Sequence, residues 1–515
     1  MLQSQSSLAK GLISMDAIEI TVNSEEVEEA KIGAVDKASA RKDEGAPLSP
    51  ASLLFLEPGT NCCIIAMVGC KKKLDPGLVK EGLYRNLVKH PRFSSKLVIN
   101  GGKKKWIQTQ VNLDKHVTVP EVDTEMESTS QFIEDYVSNL TTIPLDLSKP
   151  LWELHLLNLK TREAEAVGIW RIHHSIGDGM SLISLLFACC RKSSDPEALP
   201  TLPKQKQTDH SRNPRRFLWL FSAVWSVLKL LFNTIVDVLH FVATCIFLKD
   251  TKTPLKGSSG VEHNPKRIVY RTVSLDDIKL VKAAMGMTVN DVILGVTQAG
   301  LSRYLNRKYG EVDRGKGAKQ KSNQLPRNIR LRATVLVNIR QSAGIQALAD
   351  MMNKKSKAKW GNKIGFILIP ITIALQNDHP LDYLRGAKAT ADRKKLSLEA
   401  IFTYLASKYT TKLFGSKLSG VLAYRITFNT TMSISNLAGP VEEISFFGHP
   451  IAFIAPTVYG QPQALTLHFQ SYINKMSIVA AVDPNVIPDP HLLCDDLEES
   501  LKIFKHAVLT NNSAC

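Results

Sequence analysis

The stretch His173-His174-Ser175-Ile176-Gly177-Asp178-Gly179 sets two histidines and a carboxylate in a short polar break between two apolar segments. Residues 166–172 before it are typical of a buried strand, and residues 180–187 after it are typical of an apolar helix. Gly177 and Gly179 predict a tight turn with unusual backbone angles. A histidine at the end of a core strand faces a cleft, where its neutral imidazole can accept a proton. The stretch therefore predicts a catalytic base, and the alternative is a pair of hydrogen-bonded core histidines.

Four other motifs accompany this stretch in a fixed order along the chain. They are Pro47-Leu48-Ser49-Pro50, Pro150-Leu151-Trp152-Glu153, Asn290-Asp291 and Ser435-Asn436-Leu437-Ala438-Gly439-Pro440. Each is short, but the five together resemble the plant wax ester synthase/diacylglycerol acyltransferase family. The resemblance extends from about residue 47 to the C-terminus and is interrupted by one apolar segment.

This resemblance implies an α/β fold like that of chloramphenicol acetyltransferase. Two similar halves, each a mixed sheet flanked by helices, would enclose a tunnel that holds the active site. The first half is expected over residues 47–210 and the second over residues 257–515. Residues 1–46 are polar and poor in aromatic side chains, which predicts a disordered tail. Residues 211–256 contain the apolar segment and a linker.

The apolar segment, residues 217–248, is longer than the roughly 20 residues that a membrane-spanning helix needs. Its polar side chains recur at intervals of four and three and so share one helical face; they are Ser222, Ser226, Lys229, Asn233, Asp237 and His240. A helix that crossed the membrane once would place the two halves on opposite sides, although they must pack together. Two crossings need about 40 residues plus a turn, which is more than residues 217–248 provide. The pattern therefore predicts a membrane-associated amphipathic helix that lies in the membrane plane or is partly inserted. The alternative is a helix packed on the protein's own surface.

Composition restricts the partners and cofactors. The net charge of +17 indicates an anionic partner, which is a nucleic acid, an anionic lipid surface or a phosphate-bearing substrate such as coenzyme A. Zinc-finger and RNA-binding motifs are absent from the sequence, so no nucleic-acid partner is expected. The eight cysteines form neither a disulfide framework nor a CxxC pair, and an HExxH motif is missing, so no metal is expected. Glycine patterns for a nucleotide cofactor are also missing.

The implied reaction is acyl transfer from acyl-CoA, as a substrate, to a hydroxyl group, with no further cofactor. By the family resemblance, His174 is the general base that takes the alcohol proton and then protonates the departing thiolate, without a covalent acyl-enzyme. His173 is supporting. The residues alone do not rank the two histidines, because both lie at the same turn.

Asp178 has two possible roles: it orients His174, or it holds the turn through an arginine. Related acyltransferases use the second arrangement, which favours a structural Asp178 with Arg340 as candidate partner and Gly179 as part of the same motif. Asn290 is the family-matched candidate for binding the oxyanion or lining the site, and Asn436 is a weaker one. The alternative for Asn290 is a helix cap.

The expected activity is therefore synthesis of wax esters from acyl-CoA and a long-chain alcohol, with diacylglycerol as a second acceptor that gives triacylglycerol. The membrane surface would be contacted through residues 217–248. The first residues contain no secretory signal, and the family's substrates are made at the endoplasmic reticulum. The expected location is therefore the cytosolic face of the endoplasmic reticulum membrane, with the plasma membrane as a second site. Two rival functions are an acyltransferase for other alcohols or amines and a non-catalytic lipid-binding protein on the same fold.

Overall fold

A computed structural model describes residues 45–122, 128–203, 216–315, 323–339, 344–352, 360–375 and 379–513. Almost all of the tail predicted for residues 1–46, and Arg340, lie outside the described residues. The strands are β1 (Ala46–Pro47), β2 (Cys63–Cys70), β3 (Ser95–Asn100), β4 (Lys103–Gln108), β5 (Val117–Thr118), β6 (Trp152–Leu157), β7 (Ala166–His173), β8 (Cys190–Lys192), β9 (Arg267–Ser274), β10 (Arg332–Asn338), β11 (Ile364–Pro370), β12 (Met432–Leu437), β13 (Ile444–Phe446), β14 (His449–Tyr459), β15 (Leu465–Tyr472) and β16 (Lys475–Val482). The α-helices are α1 (Pro50–Leu54), α2 (Pro76–Arg85), α3 (Thr129–Leu140), α4 (Gly179–Ala188), α5 (Arg216–Ile246), α6 (Leu275–Ala284), α7 (Val289–Gly315), α8 (Gly344–Met352), α9 (Leu381–Lys395), α10 (Glu399–Phe414), α11 (Ser416–Asn429) and α12 (Pro490–Ser513).

Two large sheets form the centre of the molecule. The seven-stranded sheet has the order β5-β6-β7-β2-β14-β13-β8, and the six-stranded sheet has the order β11-β10-β12-β15-β16-β9. Strands β1, β4 and β3 form a small third sheet. Both large sheets contain parallel and antiparallel neighbours: β10, β12 and β15 are parallel, whereas β2 and β7 are antiparallel. This mixed α/β arrangement in two halves confirms the predicted fold class.

Segments from the second half of the chain help to build the first half. Strands β13 and β14 lie within residues 257–515, which the sequence assigned to the second half, yet they belong to the seven-stranded sheet. There β14 pairs antiparallel with β2, with Ile454 opposite Val68. Helix α8 also packs against α4 of the first half. The first half is therefore completed by residues that are distant in sequence.

The strand before the two histidines is buried along its whole length. All eight residues of β7 are buried, because β6 and β2 cover its edges and side chains pack on both of its faces. A strand buried on both faces has a continuous apolar sequence. On the neighbouring strand β6, Trp152 is fully buried and its Nε1 donates to the carbonyl oxygen of Phe93 at 2.9 Å. This packing fixes the position at which β7 ends.

Helix α5 contains the apolar segment, and only part of its polar face is turned toward the protein, because Ser222, Ser226, Lys229 and His240 are exposed. Asn233, Asp237 and Thr244 are buried, whereas the apolar side chains on the other side are exposed; these are Val224, Trp225, Leu228, Leu231, Phe232, Ile235, Leu239 and Ile246. Among the described helices, Ser222–Ile246 is long and apolar enough to cross a membrane, and α6 with α7 is a bent pair that meets the same criterion only if counted as one span. The exposed surface of α5 is therefore mostly apolar, unlike that of a helix on a water-soluble protein.

Candidate active site

The motif at residues 47–50 builds the support for His174. The side chain of Ser49 caps α1 by accepting from the amide of Ser52 at 3.1 Å, and a proline occupies the first helical position. The helix ends at Leu54, and the next residue, Phe55, stacks on the His174 ring with 4.0 Å between ring centroids. The short capped helix thus fixes the position of the Phe55 ring. The motif therefore acts on His174 through Phe55.

A second support reaches the main chain of His174. The Nδ2 group of Asn362 donates to the carbonyl oxygen of His174 at 2.9 Å and to Oγ of Ser52 at 3.2 Å. The amide of His174 donates to the carbonyl oxygen of Cys62 at 3.1 Å. These bonds engage both the amide and the carbonyl group of His174. Together with the stacking contact of Phe55, they restrict the position of the His174 side chain.

The structure gives the two adjacent histidines different environments. The Nδ1 atom of His173 lies 2.7 Å from Oγ of Ser175, and its Nε2 atom lies 2.7 Å from Oδ1 of Asn61. Burial and the neighbouring His174 lower the pKa of His173 to about 3, so its ring is neutral. Both ring nitrogens are engaged, which leaves neither for a substrate. His173 is thus suited to hold the turn.

His174 faces a large cavity between the two halves. The space between the halves at this point has an empty volume of about 1270 Å³, which includes its opening to solvent. Helix α4 supplies one apolar wall through Leu182 and Leu186, and the second half supplies the other through Leu336 and Ile434. A tunnel of this composition fits long alkyl chains.

The protonation state of His174 suits a base. Burial lowers the pKa of His174, while its own backbone carbonyl, the charge of Asp178 and Asn362 act in the opposite direction. His174 lines the cavity, so its ring lies beside the space that a substrate would occupy. A neutral imidazole with an unoccupied nitrogen can accept a proton from an alcohol.

Asp178 is buried and holds the start of α4. Its carboxylate accepts from the amide of Ser181 at 2.8 Å, as a helix cap does, and from the amide of Lys363 at 3.4 Å. These contacts join the turn to the β11 side of the cavity, as a structural role for Asp178 requires. The pairing with Arg340 stays a prediction, because Arg340 lies outside the described residues.

The expectation of unusual backbone angles at the turn is wrong. Neither Gly177 nor Gly179 is among the glycines with positive φ. A Cβ atom on Gly177 would instead lie 2.9 Å from Cζ2 of Trp360, whose Nε1 donates to the carbonyl oxygen of Ile176 at 2.8 Å. Gly179 is the first residue of α4, and its nearest such contact, with Leu437, is at 4.0 Å. Gly177 is needed for the close approach of the indole.

Asn290 lies beside the cavity that holds His174 without lining it. The Oδ1 atom of Asn290 accepts from Nδ2 of Asn436 at 2.7 Å, and both residues line a smaller cavity of about 420 Å³. Asn290 does not cap α7, because Thr288 and Asp291 form that cap by exchanging backbone-to-side-chain bonds of 2.8 and 3.3 Å. The oxyanion role of Asn290 stays a prediction.

The sequence analysis did not identify the polar wall opposite His174. His468 on β15 lines the cavity, and its Nδ1 lies 3.2 Å from Oγ1 of Thr457. Burial and the nearby His174 lower the pKa of His468 to about 4. The sequence feature that could have identified this wall is the alternation along β15, where the polar residues Thr466, His468 and Gln470 interrupt apolar ones.

Two basic residues of α7 are paired with carboxylates near the C-terminal helix. Arg307 forms two bonds of 3.1 and 2.7 Å with Asp496 of α12, and Lys308 pairs at 2.8 Å with Asp489, which directly precedes that helix, so both cations are paired with carboxylates. Over the described ranges, no group of three or more His, Cys, Asp or Glu side chains is placed to hold a metal.

Comparisons with known proteins agree with this geometry. Residues 79–293 match the wax ester synthase/diacylglycerol acyltransferase catalytic domain, and residues 360–505 match the WS/DGAT C-terminal domain. Wax ester synthase/diacylglycerol acyltransferase 11 of Arabidopsis thaliana is 55% identical over 480 residues, which is 92% of this chain and 98% of the relative. Wax ester synthase/diacylglycerol acyltransferase 6 of the same plant is 51% identical over 505 residues, which is 93% of this chain and 97% of the relative.

Solved structures show the same fold at low identity. The wax ester synthase/diacylglycerol acyltransferase from Marinobacter aquaeolei VT8 superposes with a TM-score of 0.55 at 17% identity, over 90% of this chain and 99% of that one. The first condensation domain of the calcium-dependent antibiotic synthetase gives a TM-score of 0.53 at 11% identity, over 91% and 97% of the two chains. With sequence matches that cover both halves, the chain belongs to the wax ester synthase/diacylglycerol acyltransferase family.

Proposed function

We propose that this protein transfers a fatty acyl group from acyl-CoA to the hydroxyl of a long-chain alcohol, with diacylglycerol as a second acceptor. The observation that carries the proposal is the position of His174, which lines an apolar cavity of about 1270 Å³ between the halves. The named activity of relatives that are 55% and 51% identical supports the same reaction. Neither rival function accounts for all of these observations.

The geometry supports a single direct displacement. His174 removes the alcohol proton as the alcohol oxygen attacks the thioester carbonyl, which gives a tetrahedral intermediate with one negative oxygen. The intermediate then collapses by breaking the carbon–sulfur bond, and the same histidine returns the proton to the thiolate of coenzyme A. A buried and neutral His174 begins this cycle in the correct state. No cofactor beyond the acyl-CoA substrate is needed.

Hydrogen-bond donors for the intermediate are proposed on the second half. Asn290 remains the family-matched candidate, and its partner Asn436 is anchored on β12 beside Ser435, which lines the main cavity. A donor in a water-poor site stabilises the developing charge more strongly than it would in water.

Membrane association is proposed through the exposed face of α5. Most of its outward side chains are apolar, and Asn233 and Asp237 are buried against the protein, so a lipid phase would cover apolar surface that water now meets. Exposed cations also lie on α5, α10 and α11; they are Lys229, Lys408, Lys412 and Lys417. Each lysine near an anionic surface contributes about 1 kcal/mol. The cytosolic face of the endoplasmic reticulum, with the plasma membrane as a second site, remains the proposed location.

The catalytic proposal is tested with purified protein and its His174→Ala variant, given labelled palmitoyl-CoA and either hexadecanol or diacylglycerol. Wild-type protein is expected to form ester, and the variant is expected to lose at least 100-fold in rate, as removal of a general base does. His506→Ala, on the exposed side of α12, is the matched control. Equal rates for wild type and His174→Ala would contradict the assigned base, and absence of product from wild type would favour the lipid-binding rival.

The membrane proposal is tested by co-sedimentation with anionic vesicles. Leu239 of α5 is 62% exposed, and replacing it with lysine removes one apolar side chain from the lipid. The expected loss is about 1 kcal/mol, or roughly fivefold in vesicle affinity, because the loss of about 2 kcal/mol of apolar burial is partly offset by about 1 kcal/mol of attraction between the new lysine and the anionic surface. Leu492→Lys is the control, because Leu492 is 45% exposed on α12. Equal binding by both variants would contradict contact through α5.

A further inference from the structure

A second apolar cavity lies beneath α5, α10 and α11 and is separate from the one that holds His174. Its empty volume is about 500 Å³, and most of its surface is apolar. Helix α5 contributes Phe241, helix α10 contributes Ala406, and helix α11 contributes Leu422 and Ala423. The cavity is therefore roofed by the same three helices that present apolar side chains outward.

The floor of this cavity is the support of the catalytic histidine. Leu54 lines the second cavity, and the next residue, Phe55, stacks on His174 at 4.0 Å. On β11, Phe366 lines the second cavity while Ile364 lines the main one. These two β11 residues point to the same face of the strand and are roughly 7 Å apart. One layer of side chains therefore separates the two cavities.

The outer surface of α10 and α11 resembles that of α5. Exposed apolar side chains run along both helices around their connection at Gly415; they are Phe402, Leu405, Tyr409, Leu413, Phe414, Leu418 and Val421. Both helices pack against α5, so the exposed apolar surfaces are continuous. This surface was not part of the segment at residues 217–248, and a single lipid phase would cover all three helices.

We propose that the long-chain acceptor enters the protein from the bilayer between α5, α10 and α11, and reaches His174 by displacing Leu54 and Phe366, which line the second cavity, while Phe55 stays stacked on His174. This inference rests on the proposed acyltransferase function. An alkyl chain on this route exchanges lipid for apolar protein and is not exposed to water, so the free-energy cost of hydrating it is avoided. The hydroxyl end arrives at the ring of His174 while the far end of the chain still occupies the second cavity. A short alcohol that dissolves in water has no need of this entrance.

The route is tested with Ala423→Phe, which fills the second cavity, and with Val421→Phe, which adds the same ring on the outer surface of α11, where Val421 is 51% exposed. With palmitoyl-CoA, the Ala423→Phe variant is expected to lose at least tenfold in rate with hexadecanol embedded in vesicles. Its rate with dissolved hexanol is expected to stay within twofold of wild type, and Val421→Phe is expected to retain both rates. Equal loss with both alcohols, or no loss with either, overturns the route.

Photolabelling of the wild-type protein tests the same route without turnover and without a variant. Vesicles would carry a long-chain alcohol with a diazirine at the far end of its chain. Adducts at inward residues such as Leu422 and Ala423, displaced by excess hexadecanol, are expected. Displaceable adducts confined to other parts of the chain would overturn the route. Because labelling needs no ester formation, failure of the acyltransferase proposal would leave this result interpretable.

Discussion

Replacing Lys394 of α9 with methionine is expected to destabilise the protein by removing the cation that docks α5. The ammonium of Lys394 donates to Oδ1 of Asp237 at 2.8 Å and to Oε2 of Glu399 at 2.7 Å. The side chains of Asp237 and Lys394 are 0% and 3% exposed, so water cannot replace the lost partner. Breaking a buried ion pair on one side typically costs about 3–5 kcal/mol. Asp237 keeps Arg393 at 2.7 Å, which places the expected loss near 3 kcal/mol, at the lower end of that range.

The loss is expected to depend on pH through Glu399. Burial raises the pKa of Glu399 to about 7, and Lys394 acts in the opposite direction. Since the pKa in the unfolded chain is about 4.3, the folded state binds the extra proton, and Glu399 lowers stability as pH rises from about 4 to 7. Without Lys394, which lowers the pKa of Glu399, that pKa is higher still in the folded variant. The deficit of the variant relative to wild type is therefore larger at pH 8 than at pH 6.

The measurement is urea unfolding in detergent at pH 6 and pH 8, followed by tryptophan fluorescence. Lys388→Met on the same helix is the control, because the pair of Lys388 with Asp392 at 2.7 Å is 39% exposed on the lysine side. Exposed pairs contribute about 0–1 kcal/mol. If Lys394→Met unfolds within 1 kcal/mol of Lys388→Met at pH 8, or shows the same deficit at both pH values, the reasoning is refuted.

Two further predictions concern the turn. Asp178→Asn removes a charge that raises the pKa of His174, so the acid limb of the kcat/KM profile is expected to move to lower pH; a limb at higher pH would contradict the electrostatic role. Gly177→Ala would put a Cβ atom 2.9 Å from the Trp360 ring and is expected to cost about 1–3 kcal/mol in thermal unfolding. Trp360→Leu in the same chain should relieve part of that cost, and purely additive losses would argue against the clash.

The site could be predicted to the extent that it is contiguous in sequence. The strand expected at residues 166–172 and the apolar helix expected at residues 180–187 are found as β7, Ala166–His173, and α4, Gly179–Ala188. Local sequence patterns predict a strand, a turn or a helix because the burial periodicity and the capping interactions that produce them involve residues only a few positions apart. The backbone angles of the turn could not be predicted, because Gly177 is required by Trp360, which is 183 positions away in the chain.

The helix at residues 217–248 shows the same limit. Its polar stripe was visible in sequence, but the partner of that stripe was not. Asp237 faces inward because Lys394 and Arg393 meet it there, and those cations come from α9. No periodicity within α5 contains that information. The apolar side chains of the helix are outward as a consequence of where its polar partners lie.

By itself, the sequence determined the family, the two-halved α/β fold and the pair of histidines at the end of a buried strand. Only the tertiary structure decided which histidine is fully hydrogen-bonded, which residues form the wall opposite His174 and how β14 completes the first sheet. The physical reason is that strand, turn and helix signals are local. The cavity, by contrast, is formed by side chains from both halves, and their approach depends on how two sheets and three outer helices pack.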